Sequence, residues 1–276
     1  MTRYGIENWG RFQRSGVKSE DIEAMKMETV ENAFEDTKED FAHLIEQISE
    51  GIKEGRWTTI LGDDVSGRLP ALVIGKIIAR YNREHGMNPP KRIFFAGGSI
   101  NYEDVPDEGL PTPEQSKQNI QEQQQKLATF IHEQSKSLGD RVLIVTEHVV
   151  GGRTVRRIGK TLYREGVNFD VASLWSTKQT YTLRTTLKHE DPDIFDQTQF
   201  FIGKENAGAS DPFGSEVSNV LYNLGVPLNE TTGIKKDGIE PIAKLNKEAN
   251  RDLVKLARQK VSEMTDEIYL KNFNEK

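Results

Sequence analysis

The sequence lacks cysteine altogether, although it is 276 residues long. This absence excludes disulfides, a thiolate nucleophile and cysteine–zinc sites, and it is typical of a cytoplasmic protein. Long apolar runs are also missing, since no segment approaches the roughly 20 apolar residues of a membrane span. The N-terminal segment has no apolar core of the secretory type. We therefore expect a cytoplasmic protein with no membrane partner.

Positive charge is in deficit, because 37 basic and 43 acidic residues leave a net charge of −6. Broad electrostatic binding of nucleic acid is therefore not expected, although a local basic patch is left open. Several common motifs are missing as well. Gly151–Thr154 lacks the lysine and the first glycine of a Walker A loop. No G-x-G-x-x-G follows a strand, and neither H-E-x-x-H nor G-x-S-x-G occurs.

The most informative segment spans residues 141–155 and reads RVLIVTEHVVGGRTV. Its apolar run, Val142 to Val145, predicts a strand buried on both faces of a parallel sheet. A polar turn from Thr146 to Thr154 leads into a helix that ends near Gly166, and Phe169 to Trp175 is the next strand. Strand, helix and strand form a βαβ unit, in which ligands bind on the loop entering the helix. Free amides and glycines there favour a phosphate.

A second unit of the same kind precedes this one. Trp57 to Leu61 is predicted to be a strand, Gly62 to Pro70 a polar loop, and Arg92 to Ala96 the strand after the intervening helix. Ser66 is the candidate N-cap of that helix, with Pro70 in its first turn. The sequence therefore places two strand-to-helix junctions at the same edge of one sheet.

The remaining elements complete the predicted architecture. Helices are expected over 19–55, from Thr112 to about 137, over 215–224 and from 242 to about 269, with a last strand over 200–203. Residues 1–20, 97–112 and 176–199 are interpreted as an arm, a loop and a polar stretch. We predict an α/β fold whose central sheet is mostly parallel and carries helices on both faces. The expected parts are an N-terminal arm and helix (1–55), an α/β core (56–205) and a C-terminal helical extension (206–276).

Residues 142–155 resemble the phosphoribosyl diphosphate (PRPP) loop of type I phosphoribosyltransferases. The pattern of that family has four apolar residues, two acids, two apolar residues and a small loop that ends in Gly-x-Thr. Glu147 matches the second acid, and Gly152 and Thr154 match the ending. Thr146 stands in place of the first acid. The resemblance covers about half of the chain, from Trp57 to roughly Gly203.

The resemblance implies binding of PRPP or a nucleoside monophosphate, with transfer of the phosphoribosyl group to a nitrogenous base, release of diphosphate and Mg²⁺ as cofactor. It assigns PRPP and phosphate binding to Thr146, Glu147, Val150, Gly151, Gly152, Arg153 and Thr154. It assigns the diphosphate to Asp63, Asp64, Val65, Ser66, Gly67 and Arg68. Glu147 would be the catalytic acid, Asp64 and Glu147 the metal ligands, and Trp175 the base-stacking residue.

Each assignment has a plainer alternative. Asp63 and Asp64 either hold Mg²⁺ through water or complement a helix N-terminus. Thr154 either donates to a phosphate or caps its helix, and the two roles are compatible. Trp175 either stacks on a base or packs in the core, and His148 is more often structural than catalytic.

Two classes of function remain open. One is a phosphoribosyltransferase enzyme, and the other is a non-catalytic module that senses PRPP or a nucleotide and regulates a partner. The missing first acid favours the module, and we expect weak PRPP binding that depends on Glu147. Thr146→Asp is expected to strengthen binding if the family geometry is kept. The terminal extensions lead us to expect a homo-oligomer or partner contact.

Overall fold

The computed structural model describes residues 19–95, 113–208 and 251–274. The predicted N-terminal arm, the 97–112 loop and the 215–224 helix therefore lie outside the described residues, apart from the last residues of the arm. Along the described chain the elements are α1 (Ser19–Lys53), β1 (Thr59–Asp63), α2 (Asp64–Glu84), β2 (Lys91–Phe95), α3 (Pro113–Leu138), β3 (Arg141–Val149), α4 (Arg153–Arg164), β4 (Asn168–Ser176), α5 (Thr180–Glu190), α6 (Pro192–Phe195), β5 (Phe200–Lys204) and α7 (Arg251–Phe273).

The strands form one sheet in the order β2-β1-β3-β4-β5. Every neighbouring pair is parallel. From β1 the chain first moves outward to β2, then returns to β3 on the other side and continues to β4 and β5. The order therefore reverses between β1 and β3, and the crevice at such a reversal is where open parallel sheets bind ligands.

Helices cover both faces of the sheet, which confirms the predicted α/β class. On one face α1, α2 and α7 pack over Ile60, Leu143, Val145, Ala172 and Leu174. On the other face α3, α4, α5 and α6 pack over Leu61, Val142, Ile144, Phe169 and Val171. Successive residues of a strand point to opposite faces, so a strand covered on both sides needs a continuous apolar run.

The predicted strand at Val142 to Val145 is confirmed, since all four residues have no exposed surface. The predicted boundary after it is wrong, because β3 continues through Thr146 to Val149. Pairing with β4 explains the extension: Thr146 lies opposite Ser173 and Val149 opposite Ser176. The backbone hydrogen bonds of this pairing outweigh the polar, turn-like composition of the segment.

The predicted loop from Gly62 to Pro70 is also wrong. Helix α2 begins at Asp64 directly after β1, so Asp63 and not Ser66 is the N-cap, and Pro70 lies inside the helix. Gly67 makes this junction possible, because an added Cβ would lie 2.4 Å from the carbonyl oxygen of Val145. Helix α2 therefore follows β1 without a connecting loop, and its first turn contacts the end of β3.

Residues 176–199, predicted as a polar stretch, contain the helices α5 and α6. Their buried side chains are Leu183, Leu187 and Phe195. Two leucines four residues apart were too weak a periodic signal for a helix among so many polar residues. In the described ranges, none of the helices is both long and apolar enough for a membrane crossing.

Candidate functional site

The candidate site lies at the carboxyl ends of β1 and β3, the two strands between which the strand order reverses. These strands are adjacent and parallel, with Leu61 opposite Ile144 and Gly62 opposite Val145. Each leads into a helix within a few residues, β1 into α2 and β3 into α4. Two helix N-termini therefore start side by side at one edge of the sheet.

Neither of these helices is capped by the side chain of its own N-cap residue. Asp63, the N-cap of α2, makes no capping hydrogen bond with its carboxylate, and Gly152, the N-cap of α4, has no side chain to cap with. The first turn of α4 contains no acidic residue. Because the first amides of a helix have no acceptor within the helix and carry partial positive charge, these two starts favour an anion.

A third helix at the same edge shows how such a start is satisfied within the protein. The backbone N–H of Thr180, the first residue of α5, donates to Glu205 Oε1 at 2.9 Å. Hydrogen bonds from Thr180 lower the pKa of the Glu205 carboxyl. A carboxylate from another part of the chain thus occupies the anion position at α5, whose own N-cap residue, like those of α2 and α4, makes no side-chain capping bond.

Asp63 and Thr146 meet across the pair of strands. Thr146 Oγ1 donates to Asp63 Oδ2 at 3.3 Å. Both residues are buried, with Thr146 2% and Asp63 6% exposed. The carboxylate of Asp63 is therefore held by the neighbouring strand instead of by the helix that it precedes. Asp63 stands at the N-cap position of α2, where a carboxylate complements the helix N-terminus, although it makes no capping hydrogen bond.

Gly151 and Gly152 form the bend between β3 and α4 together with Val150. Gly152 is buried at φ 72°, and an added Cβ would lie 3.3 Å from both Leu183 and Leu187 of α5. Gly151 is exposed and has open space where a Cβ would be. Gly152 is thus required by the backbone and by packing, while Gly151 leaves the main chain accessible from outside.

The neighbouring strand end fixes this bend in place. The hydroxyl of Thr177 donates to the Val150 carbonyl at 2.9 Å, and its backbone N–H donates to the Val149 carbonyl at 3.1 Å. Arg153 is exposed and Thr154 half-buried, as the first two residues of α4. Thr154 is therefore not the N-cap, which is Gly152.

Several further predicted site residues lie on two elements of the same edge, β3 and α2. Glu147 and His148 are half-buried within β3, and the His148 ring lies edge-on to Trp175 with 6.2 Å between the ring centroids. Asp64, Val65, Ser66 and Arg68 form the start of α2. Gly67 packs that first turn against β3 and serves the fold whatever ligand binds.

Sequence reasoning missed a cluster around Trp175 at the end of β4. The indole N–H donates to Asp40 Oδ2 of α1 at 2.6 Å, and Lys204 Nζ lies 4.8 Å from the indole ring centroid. Lys204 also lies 3.8 Å from the Asp40 carboxylate. Asp40 is 135 residues from Trp175 and sits among other acids of α1, so no local pattern marked it.

The carboxylates at this edge are of the ligand type that Mg²⁺ takes. Within the described ranges, no group of three or more His, Asp or Glu side chains is placed to hold an ion. Mg²⁺ keeps several waters and is usually held by one or two carboxylates together with substrate phosphates. Glu147 at the end of β3 fits such a role, and Asp64 follows β1 at the same edge.

A cavity of about 430 Å³ lies at the opposite edge of the sheet, beside Arg141, Asn168 and Phe169. Arg141 there is bound at 3.0 Å to Asp170, which is fully buried and also accepts from the indole of Trp57 at 3.0 Å. These contacts join the amino ends of β3 and β4 to the segment before β1. The cavity therefore lies at the amino edge of the sheet, where these contacts stabilise the fold. The candidate site, which is defined by strand order and helix starts, lies at the other edge.

Comparison with protein-family models, with curated proteins and with solved structures found no match to this chain.

Proposed function

We propose that this protein binds PRPP or a nucleoside monophosphate at the carboxyl edge of β1 and β3, as type I phosphoribosyltransferases do. One observation carries the proposal: α2 and α4 start beside each other at the reversal of strand order, and the N-cap residue of neither helix makes a side-chain capping bond. PRPP has an anionic group at each end of its ribose. Two adjacent anion-binding helix starts match that distribution of charge.

The start of α2 would hold the diphosphate, and the bend at Gly151 with the start of α4 would hold the 5-phosphate. In the reaction, a ring nitrogen of the base forms a bond to the anomeric carbon while the C–O bond to diphosphate breaks. Diphosphate leaves with the bonding electron pair, so fixed amides at α2 would favour the transition state. Binding of the 5-phosphate at α4 would orient the ribose towards the base.

Glu147 would accept hydrogen bonds from ribose hydroxyls, and its charge would favour the positive charge that develops on the ribose ring. Asp64, Glu147 and phosphate oxygens of the ligand would hold Mg²⁺, which when bound supplies positive charge against the leaving diphosphate. The absence of cysteine from the sequence favours a reducing compartment, the cytoplasm, for this activity.

Thermal unfolding with PRPP and Mg²⁺ tests the proposal. Ligand at 100 times its Kd adds about 2.7 kcal/mol of stability, which in a chain of this size raises Tm by about 5 °C or more. Inorganic phosphate at equal ionic strength is the control. If neither PRPP, ribose 5-phosphate nor a nucleoside monophosphate raises Tm above that control, the proposal is wrong.

The second candidate is a binding module without turnover, and Thr146 favours it. This residue replaces the first acid of the family pattern, is 2% exposed and donates to Asp63. The edge therefore has one carboxylate fewer to favour positive charge on the ribose. A diphosphate-release assay over candidate bases separates the two functions, since a module would bind PRPP and release no diphosphate.

A further inference from the structure

Charge is distributed unevenly between the two faces of the sheet. Helix α1, on one face, carries eleven acidic and three basic residues. Helix α4, on the other face, carries five basic residues and no acidic one, and α5 beside it adds two basic residues and one acid. The negative net charge of the chain therefore coexists with one basic surface. We call it the α4–α5 face, formed by the outward side chains of residues 153–164 and 180–190.

Most of the basic residues of α4 form one stripe. Four of them are spaced by four, three and four positions, a spacing that keeps side chains on one side of a helix. They are Arg153, Arg157, Lys160 and Arg164. The opposite side of α4, with Ile158 and Leu162, is buried, so the stripe faces away from the sheet. At a rise of about 1.5 Å per residue, the stripe is about 16 Å long.

Part of this positive charge is used within the protein. Lys160 contacts Asp191 at 2.8 Å. The arginines at the two ends of the stripe, Arg153 and Arg164, are exposed, and so is Arg184 of α5. Their guanidinium groups are therefore accessible to a ligand, and guanidinium is the protein group that binds phosphate in a bidentate geometry.

Two exposed aromatic side chains accompany these arginines. Tyr163, in the last turn of α4, is 49% exposed, and Tyr181, at the start of α5, is 77% exposed. Tyr181 and Arg184 are three residues apart on the outer side of α5, opposite the buried Leu183. Both helices run from the carboxyl to the amino edge of the sheet. The two tyrosines therefore lie towards opposite ends of the face, with basic residues between them.

We propose that the α4–α5 face binds single-stranded nucleic acid. The arginines bind backbone phosphates, and bases stack on Tyr163 and Tyr181. A single strand offers unstacked bases to aromatic side chains, whereas a duplex keeps its bases stacked inside the helix. The exposed tyrosines therefore favour a single strand over a duplex.

A protein partner fits this surface less well. Protein interfaces centre on a patch that is depleted in charge, and here charged residues separate the two aromatic side chains. The acids of α1 repel phosphate from the opposite face, so binding is confined to one side of the molecule. The inference does not depend on the proposed function, because it concerns the outer surface of α4 and α5.

Fluorescence anisotropy of the full chain with labelled oligouridylate and oligothymidylate of about 12 nucleotides tests the inference, at about 50 mM salt. Neither strand carries a 5′-phosphate, so its end does not resemble a nucleoside monophosphate. Polyphosphate and polyglutamate of equal charge compete as anions without bases. The variants are Tyr181→Ala, Arg164→Gln and Arg184→Gln. Arg83→Gln, at an exposed arginine of α2 on the other face of the sheet, is the matched control.

We expect Tyr181→Ala to weaken the oligonucleotides about tenfold, from the loss of one stacked base, and to change polyphosphate affinity by less than about twofold. Arg164→Gln and Arg184→Gln should weaken both kinds of ligand. Each should also reduce the slope of log K against log salt by about 0.7, because one phosphate contact to a single strand is lost. Urea unfolding verifies that each variant is folded, as expected for exposed side chains.

Four results would overturn the inference. The first is that the wild-type protein binds neither oligonucleotide. The second is that polyglutamate binds as tightly as the oligonucleotides, which would make the face an interface for an acidic protein. The third is equal binding of polyphosphate together with an unchanged Tyr181→Ala, which would show that only charge matters. The fourth is that all three variants bind like Arg83→Gln. None of these results bears on PRPP binding, which thermal unfolding tests separately.

Discussion

At the scale of single residues, two adjacent glycines of the bend before α4 have different physical requirements. Gly152 adopts φ 72° and faces Leu183 and Leu187, whereas Gly151 is exposed with open space at the position of a Cβ. An L-residue in the left-handed region costs about 1–2 kcal/mol. Replacement of Gly152 would therefore change the fold and the proposed phosphate site together, and Gly151 is the cleaner probe of the proposed phosphate binding.

We predict that Gly152→Ala lowers the free energy of unfolding by about 1–2 kcal/mol, because of backbone strain and the contacts with α5. Gly151→Ala should leave that free energy within about 0.5 kcal/mol and weaken ribose 5-phosphate, since a methyl group would lie between phosphate and backbone. Urea unfolding and calorimetry measure the two effects. Unchanged affinity for ribose 5-phosphate in Gly151→Ala would show that the phosphate does not bind at this bend.

Thr146 gives a second residue-scale prediction, and here the geometry reverses the expectation drawn from sequence. A Thr146→Asp side chain would place a second carboxylate against Asp63 in a nearly solvent-free position. Two carboxylates in contact cannot both ionise without cost, so the pKa of one rises above its unfolded value. A raised pKa contributes stability at low pH that is lost as pH increases.

We therefore expect Thr146→Asp to be about 1–3 kcal/mol less stable at pH 7 than at pH 4, relative to the wild-type protein at the same two pH values. It should not strengthen ribose binding. Thr146→Asn, with nearly the same volume and no charge, is the control for packing. An equal pH profile in all three proteins would show that residue 146 does not face Asp63.

At the scale of elements, α4 is anchored to the α5–α6 junction by an ion cluster on Asp191. Arg156 and Lys160 of α4 both contact Asp191, and Arg156 also contacts Glu190 at 2.9 Å. Burial raises the pKa of the Asp191 carboxyl, but hydrogen bonds from Arg156 and Lys160 outweigh burial and leave the pKa below its ordinary value. The cluster therefore orients the helix whose N-terminus faces the candidate site.

A lowered folded-state pKa contributes stability above the unfolded pKa and loses it as pH falls through the folded value. We predict that Asp191→Asn costs about 1–2 kcal/mol at pH 7 and that the difference from wild type shrinks as pH falls below about 4. Urea unfolding at pH 7 and pH 3 measures this. Asp193→Asn, an exposed acid of α6, is the control, and a constant difference across pH would contradict the account.

The junction of β1 and α2 gives a further element-scale prediction. Gly67→Ala would put a Cβ 2.4 Å from the Val145 carbonyl oxygen and 2.9 Å from the Gly62 carbonyl carbon. Because both obstacles are backbone atoms of the sheet, we expect a loss of about 2–4 kcal/mol in the free energy of unfolding. A loss below about 1 kcal/mol would mean that α2 can move away from β3 at little cost.

Elements with a strong local signal were predictable from sequence. The continuous apolar run of Val142 to Val145 marks a doubly covered strand, and Gly166, at φ 71° after α4, was predicted as the end of that helix. The sequence did not indicate the contact of Thr146 with Asp63, because 83 residues separate them and only strand order brings them together. Helix α5 was missed for a different reason, because its local apolar pattern is too short and too polar to predict a helix.

At the scale of the whole molecule, α1 closes one edge of the sheet. Among the described strands, β5 is the outermost, and it pairs with β4 on one side. The Gln47 side chain donates to the Ile202 carbonyl and accepts from the Ile202 N–H, so it binds both backbone groups as a neighbouring strand would. Unpaired edge strands are sites of association between chains, so a side chain in this position blocks pairing through β5. The predicted homo-oligomer, which stays a prediction, would then use another surface.

We predict that Gln47→Ala lowers the free energy of unfolding by about 1–2 kcal/mol, because two hydrogen bonds are lost and partly replaced by water. The variant should also form larger species as concentration rises, since the Ile202 N–H and carbonyl become available to a second chain. Sedimentation velocity and urea unfolding measure the two effects. Gln259→Ala is the matched control, because Gln259 contacts Glu263 on the surface of α7 and lies away from any strand. If Gln47→Ala loses stability but sediments like the control at every concentration, then Gln47 stabilises β5 without protecting it, and the remaining contacts of α1 are enough to keep this edge closed.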